Sequence, residues 1–246
     1  MPDTSSTPDT SGPSGPHDGS REGPTARALA RIAGMTVTAT SSAGRAAGGA
    51  ADGPDGASRT PALAKRNAPC LERAVLAHRG LPSAAPENTM AAFCAAADAG
   101  ARWIETDIDL LADSTPVIIH DTALGRTTDR SGSIYGLRAA DLENIDAGGW
   151  FGPGFAGQRI PTLDSFIDFM NERGINANIE LKANEQGAAR SIELVDALAA
   201  ALERLDACRQ VLVSSFSQPL LMAFHQRHPQ YATAVLYEST TIRPDC

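Results

Sequence analysis

The chain has 246 residues, 29 acidic against 21 basic, and a formal net charge of −8. That balance excludes a nucleic-acid binder, which needs a basic face, and no apolar run approaches the ~20 residues of a membrane span. A soluble protein handling small molecules fits, and an anionic substrate would then need local positive charge or a metal to offset the overall field. The four cysteines, Cys70, Cys94, Cys208 and Cys246, lack metal-ligand spacing and read as free thiols of a reducing compartment. The N-terminus lacks the charged-then-apolar layout of a secretory signal, so the expected location is cytoplasmic.

Residues 1–73 are rich in Ser, Thr, Pro, Gly and Ala and contain no aromatic side chain. Such a segment buries too little apolar surface to offset its ordering entropy and is expected to be a disordered tail, or a mis-assigned start with Met35 as an alternative. Residues 26–36 have the pattern of a weak helix, and His17 carries no expected role. Residues 74–246 are expected to form the folded domain.

Val75-Leu76-Ala77 reads as a short buried strand ending at His78. Asn88 or Thr89 can cap a helix whose apolar positions Met90, Phe93, Ala96 and Ala97 recur at helical spacing, with Gly100 as its stop. Trp103 to Leu110 alternates, with Glu105, Asp107 and Asp109 on one side. The link from Leu111 to Thr115 is too short for a parallel crossover, so Pro116-Val117-Ile118-Ile119 must return as a hairpin. Folding about Asp113 brings His120 near Asp107. Residues 121–160 are a long Gly-rich excursion carrying Trp150, Phe151 and Phe155, and a loop of that length inside a compact domain is usually functional.

Thr162 opens a helix to about Arg173, Asn176 to Lys182 is a strand, and a helix runs from about Gly187 to Leu205. Gln210 to Ser215, Gln218 to Arg227 and Ala232 to Leu236 then read as strand, helix and strand. Strands alternating with helices predict a parallel sheet. Polar residues gathered at the C-terminal ends of several strands predict an α/β fold of the TIM (β/α)8-barrel type. A doubly wound open sheet is the second choice, but His-Arg-Gly is not the glycine-rich phosphate loop such sheets keep after their first strand. About five parallel strands plus the hairpin are counted, so the barrel is expected to be truncated at its C-terminus.

The chemistry lies in His78-Arg79-Gly80, Glu105-Thr106-Asp107, His120-Asp121 and Glu180-Leu181-Lys182. Glu105 and Asp107 are two apart on one strand and point the same way, and Glu180 ends the next parallel strand. Three carboxylates facing a common point repel unless a cation neutralises them, and hard oxygen ligands select Mg²⁺ or Ca²⁺. His78 and His120 are the acid/base candidates, since imidazole titrates near neutrality. Arg79 and Lys182 can hold phosphate oxygens. Glu87 either reaches back to the site or only starts its helix. Trp150, Phe151 and Phe155 either wall a pocket or pack the excursion down. His225 and His228 read as surface residues.

With these residues in view, the chain resembles the glycerophosphodiester phosphodiesterases. The matching stretches are AHRG (77–80), PENT (86–89), the Glu105 and Asp107 of IETDIDL (104–110), VIIHD (117–121), GRTTDRSG (125–132), RIPTLDSF (159–166), IELK (179–182) and SSF (214–216). They occur in family order between Val75 and Glu238; each is weak alone, and together they are specific. The resemblance implies a TIM barrel with residues 121–160 as an inserted lid. It implies metal ligation by Glu105, Asp107 and Glu180, acid/base roles for His78 and His120, phosphate binding by Arg79 and Lys182, and supporting positions at Glu87, Phe216 and Trp150. The implied reaction is metal-dependent hydrolysis of a small glycerophosphodiester to glycerol 3-phosphate and an alcohol. The alternatives are a related barrel phosphodiesterase acting on phosphoinositides or lysophospholipids, and an inactive truncated barrel with a binding role. Family members continue with further strands that this sequence lacks, so a truncated or frameshifted copy, unstable or inactive as encoded, is expected.

Overall fold

The structure is a computed structural model that describes Pro69, Leu71 and residues 74–237. Apart from Pro69 and Leu71, the expected tail, with its weak helix and the alternative start at Met35, lies outside the described residues, as do Cys70 and Cys246. Six strands form one sheet: β1 (Leu76–His78), β2 (Trp103–Leu110), β3 (Pro116–Ile118), β4 (Asn176–Leu181), β5 (Val211–Ser215) and β6 (Ala232–Val235). The order is β1-β2-β4-β5-β6, all parallel, with β3 antiparallel on the C-terminal end of β2. Four helices cross over between parallel strands: α1 (Met90–Asp98), α2 (Leu163–Arg173), α3 (Ala188–Leu202) and α4 (Gln218–Arg227). This is the alternating, parallel-cored architecture of a (β/α)8-type barrel, present among the described residues as five parallel strands and one hairpin strand.

Local chemistry explains the helix ends. Thr89, not Asn88, caps α1: its Oγ1 accepts from the Ala92 amide and donates to the Pro86 carbonyl. Thr162 caps α2 by accepting from the Ser165 amide, and Gly174 stops that helix at φ 69°, where a side chain would be strained. Helix α3 ends at Leu202, three residues before the sequence-based boundary, in a turn closed by the Leu205 amide. Phe93 of α1 meets Phe166 of α2 with ring centroids 4.8 Å apart. Phe93 and Phe166 are fully buried, each contributing ~1.5–3 kcal/mol of apolar burial.

The hairpin forms as the link length requires, with Ile108 opposite Ile118 and Leu110 opposite Pro116. All eight residues of β2 are buried, so both faces of that strand are covered, and its alternation marks which face meets the polar interior. The excursion is not a bare loop. Four short 3₁₀ turns, at Leu124–Arg126, Ile134–Gly136, Ala139–Asn144 and Pro153–Phe155, fold it over an apolar cluster of its own. Leu124, Ile134, Leu142, Ile145 and Ile160 pack there on Leu111, Val117 and Ile119 of the hairpin. Asp146 ties its far end by accepting from the amides of Gly148, Gly149 and Gly157.

No helix among the described residues is long and apolar enough to cross a membrane. Cys94 is a half-buried free thiol and Cys208 an exposed one. His225 is exposed, and His228 packs its ring 5.4 Å from that of Phe224.

Candidate active site

Register builds the site. His78 pairs with Glu105 across β1 and β2, and Asp107 pairs with Glu180 across β2 and β4. In-register neighbours on parallel strands point to the same face, so these side chains converge. Glu105, Asp107 and Glu180 are buried, and one oxygen from each lies within 4.8 Å of the others. Burial, reinforced by the charges of Asp107 and Glu180, pushes the Glu105 carboxyl up to about 8. Burial and then Asp107 push Glu180 up to about 7, against the pull of Lys182 and Arg79. Glu105 Oε2 is buried without a hydrogen-bond partner. An orphaned acceptor beside two further carboxylates is the donor set a hard divalent cation satisfies, so these residues fit such an ion.

Basic groups stand around this cluster. Arg79 Nε lies 3.3 Å from Asp107 Oδ2, and Lys182 Nζ lies 4.0 Å from Asp107 Oδ1. Arg79 sits at φ 55° in the turn after β1, where its amide bonds the Glu105 carbonyl. His78 Nε2 is 3.6 Å from Glu105 Oε2. Burial and then the Arg79 charge lower the His78 pKa, while the charges of Asp107, Glu87 and His120 also reach it. His120 arrives from the other side: the Ile119 amide bonds the Asp107 carbonyl as the hairpin leaves the sheet. His120 Nδ1 then pairs with Asp121 Oδ1 at 2.5 Å.

Glu87 reaches back toward Arg79. Its Oε1 accepts from Arg79 Nη1 at 2.9 Å. Two residues carry roles the sequence does not announce. Asn88, at φ 53°, is no helix cap; it accepts from Thr106 Oγ1 and donates to Asp107 Oδ2 at 3.1 Å, holding a candidate ligand. Arg126, on the first turn of the excursion, donates twice to Glu87 and once to Asp121. In the sequence Arg126 is marked only as part of the GRTTDRSG stretch (125–132), which does not name its partners.

Other expected positions lie further out. Asp109, one step beyond Asp107 on the same face, instead accepts from Tyr135 of the excursion and Asn184 after β4, clipping the rim together. Trp150 is 44% exposed, packs edge-on against Phe151 and donates to the Ala147 carbonyl, all within the excursion. Phe216 follows β5 directly and is 50% exposed.

Residues 78–246 match the Glycerophosphoryl diester phosphodiesterase family. The chain belongs to that family. It is 33% identical over 174 residues to a glycerophosphodiester phosphodiesterase of Caldanaerobacter subterraneus subsp. tengcongensis, covering 71% of this chain and 70% of that one. It is 35% identical over 162 residues to YhdW of Bacillus subtilis (strain 168), covering 66% of this chain and 65% of that one. Among solved structures, a phosphodiesterase of Oleispira antarctica, determined with its product sn-glycerol-3-phosphate, superposes with a TM-score of 0.61 at 36% identity, covering 64% of this chain and 63% of that one. The chain therefore spans about two thirds of the length of the relatives it matches.

Proposed function

We propose that this domain hydrolyses glycerophosphodiesters to glycerol 3-phosphate and an alcohol, using a divalent cation and two histidines. The convergence of three buried carboxylates, two histidines, an arginine and a lysine at one end of a parallel sheet carries this reading. Glu105, Asp107 and Glu180 would hold the cation, Mg²⁺ or Ca²⁺ by the hardness of the donors. When bound, such an ion neutralises charge on the phosphodiester and so eases attack at phosphorus.

The rest of the chemistry belongs to the side chains. Arg79 and Lys182 bind and orient the phosphate oxygens. One histidine takes the proton of the nucleophile, either water or the neighbouring glycerol hydroxyl, and the other gives a proton to the departing alkoxide. Burial and the neighbouring Arg79 charge lower the proton affinity of His78. The excursion, residues 121–160, serves as the lid over the site, tied to it by the bonds of Arg126 to Glu87 and Asp121. The carboxylates, arginine and lysine make the site polar, which favours a small diester over a lipid.

The test is release of glycerol 3-phosphate from glycerophosphocholine, measured with Mg²⁺, with Ca²⁺ and with chelator. Activity should require a metal and should fall by ~10²–10⁴-fold in His120→Ala. Metal-independent turnover, or full activity in His120→Ala, would overturn the mechanism.

A further inference from the structure

Arg126 stands 45% exposed at the edge of the excursion, yet all three of its donor nitrogens are committed to carboxylates. Its Nη1 and Nη2 bind Glu87 Oε2 and Oε1 at 2.9 and 2.8 Å, a two-pronged pair. Its Nε binds Asp121 Oδ2. Each carboxylate has a second partner: Glu87 Oε1 also accepts from Arg79 Nη1, and Asp121 Oδ1 pairs with His120 Nδ1. One guanidinium therefore bridges the residue that orients the phosphate-binding arginine and the residue that orients a histidine.

We propose that Arg126 is a positioning residue of the active site, setting the orientation of Arg79 through Glu87 and the tautomer of His120 through Asp121. This rests on the function proposed above. Only arginine can do this, because its planar fork presents Nε and both Nη groups in fixed directions, whereas lysine supplies one point charge. On the Asp121 side, an ionised carboxylate at Nδ1 holds the proton there and leaves Nε2 as the atom that exchanges a proton with substrate. Arg126 keeps Asp121 ionised, its carboxyl held down to about 2 by the Arg126 bond first and His120 second against burial. On the Glu87 side, burial would raise the carboxyl, but the bonds and charges of Arg126 and Arg79 outweigh it and keep it charged. Arg126 thus makes the lid a part of the catalytic geometry.

The experiment compares Arg126→Ala, Arg126→Lys, Asp121→Asn and Glu87→Gln in glycerophosphocholine turnover. Asp121→Asn should lower kcat at constant KM, and Glu87→Gln should raise KM at nearly constant kcat. Arg126→Ala should do both, by about tenfold each, since small displacements of reacting groups are costly. Added to Asp121→Asn, it should lower kcat by less than about threefold more, because the two act through one path. Arg126→Lys should restore only one of the two parameters. Unchanged kcat and KM in folded Arg126→Ala, or fully additive losses, would overturn the proposal. A second readout does not depend on turnover: imidazole ¹⁵N NMR of neutral His120 should show the Nδ1–H tautomer in the parent chain and a mixture in Arg126→Ala. If the parent chain turns over no glycerophosphodiester, the proposed function fails, and the tautomer measurement still decides whether Arg126 orients His120. An identical tautomer in both proteins would refute it.

Discussion

Asp121 couples the site to stability. Its folded pKa of about 2 lies below the ordinary carboxylate value, chiefly through the Arg126 bond. The sign follows: the stabilisation is fully present above pH ~4, where the unfolded carboxyl is also ionised, and is lost as pH falls toward ~2. Because the pair is partly open to solvent, screening reduces its worth to roughly 1 kcal/mol. Denaturant titration should find Asp121→Asn less stable than the parent by about that amount at pH 6, with the gap narrowing by pH 3; a gap independent of pH would refute the assignment. The buried acidic cluster was legible from sequence because a strand's period of two puts Glu105 and Asp107 on one face and β4 lies in register. Arg126 and Asn88 were not, because Arg126 finds Glu87 39 positions away and Asn88 finds Asp107 19 away, pairings no local pattern encodes.

At the scale of elements, the turn after β1 is fixed by a close approach. Gly80 has φ 90°, and a Cβ there would lie 2.7 Å from the backbone carbon and the Cβ of Ala92 in α1. Gly80→Ala would strain the turn and force α1 outward, displacing Arg79 and the Asn88 that steadies Asp107. A loss on the order of 2–3 kcal/mol is expected in chemical denaturation, together with weaker phosphate binding. Less than ~0.5 kcal/mol would mean the helix gives way freely. Element types were readable where periodicity or link length constrained them: the short Leu111–Thr115 link dictated the hairpin, and Thr162 dictated the start of α2. The start of α1 was ambiguous because Asn88 and Thr89 are both capping types; the Ala92 amide bonds Thr89, and Asn88 turns instead to Thr106 and Asp107. The internal order of the excursion was invisible because Leu124, Ile134, Leu142, Ile145 and Ile160 recur at no helical or strand period.

For the molecule as a whole, alternation of strand and helix predicted the parallel sheet, and the structure adds its connectivity. Strand β2 is hydrogen-bonded to β1, β3 and β4, and β4 to β2 and β5, so all three carboxylates of the cluster ride on strands paired along both edges. Their mutual repulsion has no soft element through which to relax. It rides on those doubly paired strands, and a cation that relieves it stabilises the native state against global opening. In amide hydrogen exchange, protons of β2 and β4 should be the slowest to leave, and saturating Ca²⁺ or Mg²⁺ should lengthen their lifetimes by the full binding linkage. Amides of residues 121–160, which open locally over their own small core, should slow less. Exchange that slows only in the excursion would mean the ion is gripped by the lid instead of the sheet.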